Sequence, residues 1–214
     1  MKHKFNSQFE VKEFLPRFTE EQVKNEPMLF NCSVGRAFLI GGPLTRAFLE
    51  SLTNSWPDDD IVVDSRVHML MPGFWPCIPG WHHDDVPRER EDGQPNYYNP
   101  SYKSEHCMAI VGDASITDFA VGESEFEDVP LGGKYYKEWH PLVNKKIEDN
   151  ELRLEKCPVG RLVFFDWQTW HQGAEATKFG WRWFIRASRN TDRCCTNEVR
   201  KQVQVYLRAP MEGW

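Results

Sequence analysis

Apolar positions in the first sixty residues recur at spacings that suit supporting helices and short strands, and from Ile61 onward they shift to strand-type runs. Thr19-Glu20-Glu21-Gln22 has capping-box spacing and predicts the opening of a short helix. Pro43, after Gly41-Gly42, suits the first turn of a second helix, with Leu44, Phe48, Leu49 and Leu52 at helical spacing. Strands are predicted at 61–63, 67–71, 106–111, 116–121, 162–165 and 181–188, punctuated by Pro72-Gly73, Pro79-Gly80 and Gly112-Asp113. In the last of these, Arg182, Phe184 and Arg186 share one face, and Trp181, Trp183 and Ile185 the other. Many short strands with Gly/Pro turns and a helical start predict a mainly β sandwich or barrel with helices packed outside.

At 214 residues the chain predicts one domain, 1–214: support over 1–60, a β core over 61–190 and a C-terminal extension over 191–214. The segment 87–103 is polar, Tyr- and Pro-rich, and long for a turn, which predicts a functional loop.

A net charge of −6 disfavours broad binding to nucleic acid or anionic membrane. The charge is uneven, and Arg182, Arg186, Arg189, Arg193, Arg200 and Lys201 concentrate in one stretch that leaves room for a local anion site. Met1 to Gln8 lacks the apolar core of a signal peptide, and no stretch approaches the ~18 apolar residues of a membrane helix. The expectation is a cytoplasmic protein without a membrane partner, whose six scattered cysteines are free buried thiols, the Cys194-Cys195 pair included.

The chemistry concentrates at two predicted strand ends. Trp81-His82-His83-Asp84-Asp85 offers two His-x-Asp registers, His82 with Asp84 or His83 with Asp85, and in an extended segment either pair faces one way. His82 is the preferred ligand, because Trp170-His171 repeats the Trp81-His82 layout after another strand. Asp85 is then a candidate to orient a ligand imidazole. Two histidines and a carboxylate on one face suit non-haem Fe(II) and leave coordination positions open. Arg182, eleven residues after His171, can grip a carboxylate with two parallel hydrogen bonds.

The order His-x-Asp, distant His, then Arg resembles that of the Fe(II)/2-oxoglutarate-dependent dioxygenases, with a layout closest to the taurine dioxygenase and phytanoyl-CoA hydroxylase type. The resemblance spans roughly residues 61 to 190 and implies a double-stranded β-helix, a cupin-like jelly roll. It implies His82, Asp84 and His171 as Fe(II) ligands, with 2-oxoglutarate and O2 as co-substrates. Arg182 would hold 2-oxoglutarate, Thr117 would support it, and Arg186 would face a small polar or anionic substrate. Arg186-Ala187-Ser188 also matches an Arg-x-Ser pattern, so either arginine fits the co-substrate role. The retained Asp84 implies hydroxylation rather than halogenation. The loop over 87–103 would close over the substrate. Competing readings are a non-catalytic cupin-like binding module, an oxygenase acting on a nucleotide or nucleobase, and a metal-free isomerase that leaves Arg182 unexplained.

Overall fold

Polar and buried positions alternate strictly along the first strand, β1 (Lys2–Ser7), with His3, Phe5 and Ser7 turned inward. The computed structural model describes residues 1–57 and 60–207. After β2 (Phe9–Phe14), α1 (Glu20–Lys24) opens with the predicted capping box. Thr19 Oγ1 accepts the Gln22 N–H at 3.2 Å, and Gln22 Oε1 accepts the Thr19 N–H at 2.9 Å. Next come β3 (Leu29–Phe30), β4 (Cys32–Ser33), α2 (Val34–Ile40) and α3 (Pro43–Thr53).

Helix α3 has no side-chain cap of its own. The buried Glu26 carboxylate serves instead, accepting the N–H groups of Gly42, Leu44 and Thr45 at 2.9, 3.1 and 2.9 Å. These are donors that a helix start leaves without partners. The predicted stripe Leu44, Phe48, Leu49 and Leu52 is buried.

The core strands are β5 (Val62–Leu70), β6 (Phe74–Trp75), β7 (Glu105–Val111), β8 (Thr117–Glu127), β9 (Arg153–Lys156), β10 (Arg161–Asp166), β11 (Trp170–Gly173) and β12 (Gly180–Arg189). Helix α4 (Tyr135–Glu148) separates β8 from β9, and β13 (Glu198–Val199) and β14 (Tyr206–Leu207) lie near the C-terminus. Two predicted strands fuse into β5, because Asp64, Ser65 and Arg66 keep the ladder by pairing with Arg186, Ile185 and Phe184. β8 runs past the predicted Val121, because β1 pairs with residues 122–127. α4 has no counterpart in the sequence reading. Its buried Tyr135, Trp139 and Val143 are spaced by four, but Pro141 interrupts the pattern.

Among the described residues two main antiparallel sheets form, beside two two-stranded pairings. The larger has the order β2-β10-β7-β12-β5-β4, and the smaller runs β1-β8-β11 with β9 also on β8. The passages β7 to β8, β9 to β10, β10 to β11 and β11 to β12 each cross between sheets. Met108, Ile110, Val163 and Phe165 of the larger sheet pack with Phe119 of the smaller in one cluster. Behind the larger sheet, Val63, Val67, Trp183, Ile185 and Ala187 meet the helices α1 to α3. This is the mainly β architecture with outside helices that the pattern predicts.

The two ends of the chain take larger parts than expected. β1 and β2 are members of the two sheets rather than external support. The C-terminal segment folds back, with β13 on β3, β14 on β6, and Arg193 and Arg200 ion-paired with the buried Asp64. Cys32, Cys107 and Cys157 are buried free thiols, whereas Cys194 and Cys195 are free and exposed. Among the described residues no helix is long and apolar enough to cross a membrane.

Candidate metal centre and adjoining cavities

His171 lies on β11, and the segment carrying His82 docks beside it as an isolated antiparallel bridge. The His82 N–H donates to the His171 carbonyl at 3.1 Å and the His171 N–H to the His82 carbonyl at 3.2 Å. This backbone exchange brings the imidazole centroids to 4.6 Å. Asp84, two residues on from His82, reaches the same spot, and potential ligand atoms of His82, Asp84 and His171 all lie within 4.8 Å of one another. Of the two His-x-Asp registers, the structure brings together His82 with Asp84.

Both rings are held the same way. His82 Nδ1 lies 2.8 Å from the Gly80 carbonyl, and His171 Nδ1 lies 2.9 Å from the Thr169 carbonyl. A carbonyl only accepts, so each Nδ1 carries a proton and each ring turns its Nε2 toward Asp84. Backbone carbonyls therefore do the orienting that the sequence suggested for Asp85. Asp85 instead faces Arg193 at 3.6 Å. Burial, then the neighbouring His171, lowers the His82 pKa to about 4, so its ring is neutral at neutral pH.

Burial by itself would raise the Asp84 pKa. The Arg186 charge, followed by His171, reverses this and holds the carboxyl well below its ordinary range. Asp84 Oδ2 is ion-paired with Arg186 Nη1 and lies 3.1 Å from His171 Nε2, while Oδ1 faces His82 Nε2 at 3.9 Å. Two imidazoles and one ionised carboxylate converge here, a donor set that fits a divalent transition metal.

His83 turns away from the site. Its Nδ1 lies 2.9 Å from the Tyr97 hydroxyl, and its ring packs 3.8 Å from that of Trp170. Trp81 and Trp170 are buried behind the candidate ligand histidines, and neither lines the inner cavity.

A cavity of about 170 Å3 opens beside the three ligands, between the sheets. Thr117 from β8 and Arg182 and Arg186 from β12 line it, so it gathers the three expected ligands with the three residues expected to contact co-substrate or substrate. Arg182 is 3% exposed and donates Nε–H to the Ser115 carbonyl at 2.9 Å. Among the described residues no carboxylate lies within ion-pairing distance of it. Burial lowers its pKa to about 10, which still leaves it charged at neutral pH. Arg186 also lines the cavity, with Nη1 ion-paired to Asp84 and Nε buried without a hydrogen-bond partner. Its acidic neighbours raise its pKa above the ordinary arginine value despite burial.

A second, larger chamber of about 1340 Å3 adjoins the first and shares Arg66, Cys77, His82 and Asp84 with it. Its wall includes Arg88, Lys137 of α4 and Arg200 of the C-terminal segment. Sequence reasoning missed Arg66, Lys137 and this use of the C-terminal segment. The only available signal was the density of arginines after residue 181.

The segment 87–103 is a pinned wall of this chamber rather than a free lid. Tyr97 is buried and donates to Tyr136 at 3.0 Å, Arg90 pairs with Asp92 at 3.2 Å, and Tyr102 donates to Asp192 at 3.0 Å.

The fold and site together define a mainly β protein with a candidate metal centre in a cavity between two antiparallel sheets. Comparison with models of known protein families finds no match, and comparison with curated proteins finds none.

Proposed function

We propose that the protein is an Fe(II)- and 2-oxoglutarate-dependent oxygenase that hydroxylates a substrate entering from the outer chamber. The observation that carries this reading is Arg182. A charged guanidinium buried without a carboxylate is costly to the fold, and the natural remedy is an anion from outside. That guanidinium lies in the same small cavity as a two-imidazole, one-carboxylate donor set. A dicarboxylate spanning the two would pair one end with Arg182 and present the other to a metal on His82, Asp84 and His171. The crossing of consecutive strands between the sheets supports a double-stranded β-helix.

Iron held there would supply activation of O2, with 2-oxoglutarate giving the remaining two electrons: substrate, O2 and 2-oxoglutarate become hydroxylated substrate, succinate and CO2. The rest is the work of the protein. Gly80 and Thr169 carbonyls orient the ligand imidazoles, and Arg186 keeps Asp84 ionised and in place. Phe165, Phe184 and Met108 give the inner cavity apolar walls that limit water. Thr117 lies within that cavity, where its hydroxyl can support the bound dicarboxylate.

The test is anaerobic addition of Fe(II) and 2-oxoglutarate, followed by visible absorption. The expected result is the weak charge-transfer band of a chelated 2-oxo acid, and, once O2 is admitted, succinate. In Arg182→Ala, 2-oxoglutarate should bind more weakly by about 2–5 kcal/mol while iron binding holds. Metal binding with no band at any 2-oxoglutarate concentration would leave a metal-binding module and sink the oxygenase.

A further inference from the structure

We propose that Arg66 and Arg200 form an anion subsite at the junction of the two cavities, gripping a phosphate or carboxylate of a substrate whose body fills the outer chamber. This rests on the reading above in assigning the inner cavity and Arg182 to the co-substrate. Arg66 sits on β5 opposite Phe184, on the face that also bears Asp64 and His68, and it is the one cationic side chain lining both cavities. Among the described residues it has no ion-pair partner. Arg200 lines the outer chamber, and its Nη2 shares Asp64 at 3.4 Å with the more closely paired Arg193. Its Nε is buried without a hydrogen-bond partner.

The charge balance points the same way. Six cationic side chains line the two cavities: Arg66, Arg88, Lys137, Arg182, Arg186 and Arg200. Four carboxylates oppose them: Asp64, Asp84, Asp85 and Asp192. A divalent metal and a dianionic co-substrate cancel, so the bound site still lacks negative charge, and the substrate is the component left to bring it. Arg66 also lies within electrostatic reach of both Arg182 and Arg200, so an anion placed beside it relieves repulsion on either side. The outer chamber exceeds the volume that a small metabolite fills, which points to a substrate with an anionic group near the reacting carbon and a bulkier remainder.

The experiment is calorimetric titration of the full-length, metal-free chain with inorganic phosphate and, separately, acetate. Wild type, Arg66→Gln, Arg200→Gln and Arg182→Gln are compared, each first shown to be folded by circular dichroism. The expected result is saturable binding that weakens about tenfold in Arg66→Gln and in Arg200→Gln, and less than about threefold in Arg182→Gln. Tighter phosphate than acetate assigns a phosphorylated substrate, and the reverse order a carboxylate. If Arg66→Gln does not fold, the Arg200→Gln comparison decides alone. Absence of saturation with both anions, or loss confined to Arg182→Gln, overturns the subsite. The anaerobic 2-oxoglutarate band, measured in parallel, separates the two ideas. Its absence from wild type removes the oxygenase, whereas its retention with no anion binding removes only the subsite.

Discussion

Arg186 and Asp84, 102 residues apart in the chain, meet as an ion pair where the inner cavity reaches the candidate metal centre. The pair ties β12 of the larger sheet to the segment that bridges β11 of the smaller one. Removing either partner strands a buried charge, whereas removing both does not. Arg186→Met and Asp84→Asn should each destabilise the metal-free protein. The double variant should recover part of the loss, with a coupling energy on the order of 2–3 kcal/mol in a urea-denaturation cycle. Additive losses would show that the contact contributes nothing beyond its parts.

The ligand register gives a second prediction. His82→Ala, Asp84→Ala and His171→Ala should each abolish stoichiometric retention of Fe(II) or Mn(II) after desalting, with far-UV circular dichroism unchanged. His83→Ala should retain the metal but lose about 3 kcal/mol of stability, because it empties a buried site between Tyr97 and Trp170. Metal loss in His83→Ala and Asp85→Ala, with retention in the other three variants, would move the site by one residue.

Glu26 offers a test independent of function. Its carboxylate satisfies three N–H groups at the start of α3, all in or near the core. Glu26→Ala should cost about 2–4 kcal/mol in denaturant unfolding, more than an ordinary surface cap, because the stranded donors are sheltered from water. A change below about 0.5 kcal/mol would mean that water or a local shift replaces it.

His68 predicts acid sensitivity. Burial first, then the charges of Arg182, Arg66 and Arg200, lowers its pKa from 6.5 to about 3. The unfolded chain therefore takes up this proton first as pH falls, and stability declines from about pH 6.5 down toward pH 3. At pH 4 the loss from this residue is on the order of 3 kcal/mol relative to pH 7. His68→Leu, compared with wild type in metal-free form, should remove that share of the pH dependence. Parallel pH profiles for the two proteins would show that His68 carries none of it.

Local patterns settle what needs only neighbours in sequence. Thr19 with Gln22 caps its own helix, the Leu44 to Leu52 stripe buries its own face, and the period of two along residues 182–186 puts Arg182 and Arg186 on one side of β12. His82, Asp84 and His171 were legible because strand ends and a two-residue spacing constrain where side chains point. The choice between His82 and His83 is different. It depends on the backbone bridge to His171, a contact between segments 89 residues apart, and no local rule decides that pairing. The same holds for Arg186, whose charge is indistinguishable from that of Arg182 until Asp84 arrives beside one and not the other. The outer chamber is wholly tertiary. Arg66, Lys137 and Arg200 come from β5, α4 and the returning C-terminal segment, each ordinary in its own stretch. Chain folding alone brings these like charges into one space, because the pairing of β5, the docking of α4 and the return of the C-terminal segment are contacts between residues far apart in sequence.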